Sequence, residues 1–250
     1  MSTSTVDNGA WIRQYRTASP GSPRLVCFPH AGGSASFYFP MATGLSPDID
    51  VLAVQYPGRQ ERRHEQPIQD IRRLADRVTE ALAPWRDEPL HLFGHSMGAV
   101  VAYEVALRLR ESTGSDPAAL YVSGRRGPAT RRTETVHLRD DEGLVRELKS
   151  LAGTDAALLA DDDLLAMILP ALRADYRAIE TYEHRPAAPL SCPVTVLVGD
   201  SDPKVTLAEA EAWRQHTAGD VDLRVFHGGH FYLTAHQADV LKLLRDRIGA

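Results

Sequence analysis

Residues 90–109 read LHLFGHSMGAVVAYEVALRL, and the fold follows from how this stretch changes character at one serine. Leu90–Phe93 is a short apolar run. Gly94-His95-Ser96-Met97-Gly98 matches G-x-S-x-G, and an Ala/Val-rich run begins at once. A buried strand, a tight turn and a helix in immediate succession form a nucleophile elbow. The turn presses neighbouring backbones together, so it calls for glycines, and it lifts the serine hydroxyl above the sheet. The helix that follows points its N-terminus at Ser96, where unpaired N–H groups favour developing negative charge. The pentad alone is a weak signal, because glycine is common; its setting carries the argument. The plain alternative is a strand-to-helix turn with a capping serine.

Working outward, Arg24–Phe28, Asp50–Gln55, Ala119–Ser123, Val194–Val198 and Asp222–Phe226 are further strand candidates, with Trp11–Tyr15 a candidate edge strand. Helical spacing of apolar residues runs over Ile68–Ala83, Thr206–His216 and His236–Ile248. The strands are apolar throughout rather than alternating, so the expected class is α/β, a mainly parallel sheet covered by helices on both faces. Gly124 to Leu190 carries no strand pattern but two helical ones, Asp140–Leu151 and Asp161–Tyr182, the second expected to kink or split at Pro170. Residues 1–124 and 190–250 are therefore expected to form the core, and 125–189 a helical lid inserted over the site. A crossover helix with a long loop is the plain alternative.

The 250 residues are 43% hydrophobic and 24% charged, enough for a large core and unlike a disordered or collagen-like chain. With 28 Lys+Arg against 33 Asp+Glu, a nucleic-acid partner is not expected. Cys27 and Cys192 lie far apart in apolar runs, so a disulfide framework and a structural zinc site are not expected. The polar start lacks the pattern of a signal peptide, and no apolar run reaches the roughly 18 residues of a membrane span. A cytoplasmic monomer without a membrane partner is expected.

A serine hydroxyl needs a base, and the base needs a third group to fix its tautomer. In the order Ser–acid–His, Val194–Val198 runs into Gly199-Asp200-Ser201-Asp202-Pro203, and Asp222–Phe226 into His227-Gly228-Gly229-His230. Both follow strand ends, the edge where open parallel sheets place functional groups. His230, after a flexible Gly-Gly, is the candidate base, with His227 its competitor. Asp202, held by Pro203, is preferred to Asp200 as the acid. His95 reads as packing, and His236 as a surface residue at a helix start. A tetrahedral intermediate also needs two backbone donors. Met97 N–H is one, and the loop Pro29-His30-Ala31-Gly32-Gly33 supplies the other, assigned to Ala31 with Gly32 as runner-up. A phosphate-cradling loop competes, but no GxGxxG or GxxxxGK[ST] follows.

The blocks PHAGGSASFYFPMA, QYPGRQER, GHSMGAVVAYEVA, GDSDPKV and HGGHFYL, in this order, resemble the stand-alone type II thioesterases that accompany polyketide synthases and nonribosomal peptide synthetases, members of the α/β-hydrolase superfamily. The resemblance runs from Trp11 to the C-terminal helix. It implies Ser96, Asp202 and His230 as the triad and Ala31 and Met97 as oxyanion donors. It also implies carrier proteins as partners and no cofactor beyond the phosphopantetheine arm that the substrate carries. The same triad would serve a carboxylesterase or lipase acting on free esters, and a catalytically silent binding protein is a further alternative. Release by cyclisation is another, which a chain without a carrier domain disfavours.

Because the net charge is negative, docking to an acidic carrier would need local basic clusters, with Arg59, Arg62 and Arg63 and Arg125, Arg126, Arg131 and Arg132 the candidates; solvated surface arginines are the plain alternative. Leu165, Ile168, Leu169, Leu172, Tyr176 and Ile179 either line an acyl channel or pack the lid. Phe37, Tyr38 and Phe39 share that ambiguity.

Overall fold

Strands that are apolar throughout need cover on both faces. The computed structural model describes residues 8–151 and 161–249, within which seven strands form one sheet. They are β1 (Ile12–Arg13), β2 (Arg24–Phe28), β3 (Asp50–Val54), β4 (His91–His95), β5 (Ala119–Ser123), β6 (Val194–Gly199) and β7 (Val221–Phe226). Their order is β1-β3-β2-β4-β5-β6-β7, with β1 antiparallel to β3 and the other pairs parallel. Along β2, Leu25 and Cys27 enter the core on one face while Val26 and Phe28 enter the core on the other. Each face thus takes alternate side chains, and both sets must be apolar.

The helices are α1 (Asn8–Trp11), α2 (Phe39–Leu45), α3 (Ile71–Ala81), α4 (Met97–Thr113), α5 (Asp141–Leu151), α6 (Asp162–Glu180), α7 (Leu207–Glu211), α8 (Tyr232–Ala235) and α9 (Gln237–Ile248). Helices α3 and α4 cover one face, α2 and α9 the other. Every residue from Met97 to Leu107 is buried, so α4 carries Ala and Val on all sides instead of a polar stripe. Helix α3 begins later than the spacing from Ile68 suggests, because Asp70 caps it by accepting the Arg73 N–H at 2.7 Å. Such a cap stabilises a helix by about 1 kcal/mol. Helix α2 has no counterpart among the expected elements. The run Phe37-Tyr38-Phe39 that leads into it reads as aromatic packing, yet Pro40 in the first turn suits a helix.

Between residues 125 and 189 the described residues contain helices and turns but no strand. Of the kink or split expected at Pro170, the split does not occur: α6 runs unbroken from Asp162 to Glu180. Pro170 lies on the exposed side, where water can serve the carbonyl its missing N–H leaves unpaired. On the other side Leu165, Leu169, Leu172 and Tyr176 hold the helix in a third core with Val136 and Leu144. The chain leaves β2 toward β3 on one side and β4 toward β5 on the other. The crevice past the C-terminal ends of β2 and β4 is therefore the topological switch point, where open α/β sheets take ligands.

Candidate active site

Strand β4 ends at His95 and α4 starts at Met97, leaving Ser96 alone in the turn with φ 55° and ψ −118°. A left-handed non-glycine residue costs on the order of 1–3 kcal/mol and persists only where its surroundings enforce it. Here the Ser96 N–H donates to the Ser123 carbonyl at 2.8 Å, extending the β4–β5 ladder by one step. A Cβ at Gly98 would lie 2.0 Å from the Phe28 carbonyl oxygen. Only glycine lets α4 start against the end of β2.

The turn delivers the Ser96 hydroxyl to His230, whose Nε2 is 2.9 Å from Oγ. His230 Nδ1 is 2.8 Å from Asp202 Oδ2, and both side chains are buried. An Nδ1–H donating to the carboxylate leaves the Nε2 lone pair facing the hydroxyl. The other Asp202 oxygen accepts the Lys204 N–H at 2.8 Å, which fixes the carboxylate from behind. The competing pair sorts itself elsewhere: Asp200 is exposed and takes His227 Nδ1 at 3.0 Å. The Gly228 N–H, then His227 and Ser201, hold the Asp200 carboxyl down at about 2. His236 is half-buried, its Nε2 2.9 Å from the His227 carbonyl oxygen.

Ala31 and Met97 line the same cavity as Ser96 and His230. Among the described residues, neither backbone N–H donates to a protein acceptor. The Gly32 N–H does: it donates to Asp175 Oδ2 at 2.8 Å, so the runner-up donor is occupied. Asp175 is the residue that sequence reasoning missed altogether. It lies on α6 and is paired with Arg59, 116 positions away, at 2.7 and 2.9 Å.

The cavity has a volume of about 480 Å³, within the roughly 300–1,000 Å³ of small-molecule sites. Ile168, Leu172, Tyr176 and Ile179 line it, whereas Leu165 and Leu169 turn into the core with Val136 and Leu144. Helix α6 thus does both jobs left open by the sequence. Phe37 also lines the cavity, Tyr38 is buried with its hydroxyl donating to the Phe28 carbonyl at 2.7 Å, and Phe39 is exposed.

Three of the seven arginines named as docking candidates are not on the surface. Arg59, Arg62 and Arg126 are buried. Arg62 donates to Glu65 and to the Gln55 carbonyl and lies over the Trp11 ring; Arg126 pairs with Glu134. Arg125 lines the cavity, where burial foremost pushes its guanidinium down to about 9. Arg63 and Arg131 remain exposed, and Arg132 pairs with Glu209.

His95 is packing, as expected: it is fully buried with Nδ1 2.9 Å from the Ser123 hydroxyl, beside His30, Phe37 and Phe231. Burial foremost, then neighbouring His230, lowers the His30 pKa to about 3 and places that of His95 well below the ordinary value. Burial likewise takes His216 down to about 4. These imidazoles stay neutral in the folded chain and bind protons when it unfolds. Their contribution is therefore complete above about pH 6.5 and lost as pH falls from there toward 4 and below. Urea unfolding at pH 7.5 and 5.0 is expected to show a clear fall in midpoint at pH 5.0; an unchanged midpoint would contradict this.

A family model described as a thioesterase domain matches residues 23–248. The chain is 54% identical over 234 residues to a probable cadicidin biosynthesis thioesterase of Streptomyces griseus, covering 93% of this chain and 64% of that protein. It spans somewhat under two thirds of that relative's length. It is 48% identical over 244 residues to thioesterase PikA5 of Streptomyces venezuelae, covering 97% and 87%. Among solved structures, the type II thioesterase BorB from the borrelidin biosynthetic cluster matches with a TM-score of 0.90 and 51% identity, over 96% of this chain and 98% of that one.

Proposed function

The chain belongs to the thioesterase family, and from that premise we propose that it hydrolyses acyl groups from the phosphopantetheine arm of carrier proteins in polyketide or nonribosomal peptide assembly. The observation that carries the chemistry is the continuous line from Ser96 through His230 to Asp202. Ser96 Oγ attacks the thioester carbonyl while His230 Nε2 takes its proton. The oxyanion that forms is met by the Ala31 and Met97 N–H groups. As the intermediate collapses, the carbon–sulfur bond breaks and His230 returns the proton to the departing thiol. Water, deprotonated by His230, then attacks the acyl-Ser96 ester, and Ser96 leaves with the proton. Asp202 keeps the imidazole in the required tautomer throughout and stabilises its charged form. The apolar wall from α6 suits the acyl chain.

The test is intact-protein mass spectrometry of carrier proteins loaded with different acyl groups, before and after exposure to the enzyme. Loaded carriers are expected to return to the mass of the free phosphopantetheine form, and a matched oxygen ester to react more slowly than its thioester. Carriers that stay loaded while free oxygen esters turn over would overturn the proposal and favour a carboxylesterase.

A further inference from the structure

We propose that Asp175 is a positioning residue for the oxyanion loop, so that seating α6 and aiming the Ala31 N–H are one event; this rests on the reading of Ser96 and Ala31 given above. The Asp175 carboxylate is almost fully buried on α6. Its Oδ2 accepts the Gly32 N–H at 2.8 Å and Arg59 Nη1 at 2.7 Å, and its Oδ1 accepts Nη2 at 2.9 Å. Arg59 Nη1 also donates to the Gly33 carbonyl at 2.9 Å. The loop is thus held by an N–H and by a carbonyl in consecutive residues, both immediately after Ala31.

A second contact comes from one turn earlier on the same helix. Gly32 has φ +76°, and a Cβ there would meet Leu172 Cδ1 at 2.7 Å, so α6 presses directly on the loop. From behind, the Ala35 N–H donates to Gln55 Oε1 at 2.7 Å. Because a peptide unit is planar, fixing the Gly32 N–H fixes the plane that follows Ala31 and restricts where the Ala31 N–H points. Buried ion pairs add little net stability against apolar residues of similar volume. What this pair supplies instead is direction. With α6 seated, Ile168, Leu172 and Tyr176 wall the acyl cavity and the oxyanion donor is aimed; with α6 lifted, both are lost together.

The test separates aim from stability. The double variant Asp175→Leu/Arg59→Met removes both buried charges at once, so the fold is expected to hold, while the acceptor for the Gly32 N–H and the donor to the Gly33 carbonyl are both deleted. With active-site titration to count competent enzyme, its kcat on an acyl thioester is expected to fall roughly ten- to hundredfold, with KM changed far less and the melting temperature near wild type. Asp175→Asn retains an acceptor for the Gly32 N–H, and its kcat per titrated site is expected to lie between wild type and the double variant. A trifluoromethyl ketone, which adds to Ser96 as a tetrahedral oxyanion, is expected to lose affinity in proportion to kcat/KM. Either variant showing wild-type kcat per titrated site, or a loss confined to KM, would overturn the proposal. Wild-type turnover that survives Ser96→Ala would overturn the underlying reading of the site, and this proposal with it.

Discussion

Ser96→Ala is expected to lower kcat for acyl-thioester hydrolysis by about 10⁴-fold or more, because nucleophile and base act as a unit and neither works alone. The fold should survive the change. Ser96 holds its unusual backbone through its N–H bond to Ser123 and the close seat of Gly98 on β2, neither of which involves the hydroxyl. Thiol release, followed with a chromogenic thiol reagent and paired with a melting curve, makes the measurement. A residual rate within tenfold of wild type from a folded variant would assign the chemistry to another nucleophile.

The second large effect separates two aspartates that lie two positions apart. Asp202→Asn is expected to cost about 10⁴-fold in kcat. An amide donating to His230 Nδ1 would place the proton on Nε2, where it faces Ser96 Oγ and blocks the base. Asp200→Asn should leave kcat within about threefold, since Asp200 bonds to Ser201, His227 and Gly228 on the exposed side of the loop. The low pKa of Asp200 comes from those donors and carries no catalytic implication. Side-by-side kinetics of the two variants check this, and the reverse ranking would sink the assignment of Asp202.

What could be read from the chain alone was what local patterns encode. The strand–turn–helix at Ser96 announces itself within 20 residues, and strand ends followed by Asp or His mark the side chains that the fold brings to Ser96. Continuous apolar strands named the sheet type. What could not be read were choices made by tertiary packing. Arg59 looks like a solvated surface charge until α6 brings Asp175 to it from 116 positions away. Arg62 is hidden the same way under Trp11. Pro170 breaks the helical rule on paper, yet the side of α6 opposite it is buried and the helix continues. The choice between Ala31 and Gly32 as donor also rests on Asp175, because it engages the Gly32 N–H.

The account stands or falls on an acyl group passing through Ser96. A thioester carbonyl is more reactive than the oxygen ester it becomes on the enzyme, so acylation should outrun deacylation and the intermediate should accumulate. The direct measurement is rapid acid quenching of the enzyme with an acyl thioester, followed by peptide mass mapping. The account predicts the acyl mass on the peptide containing Ser96, absent in Ser96→Ala. A burst of thiol with the acyl group on any other residue would contradict it.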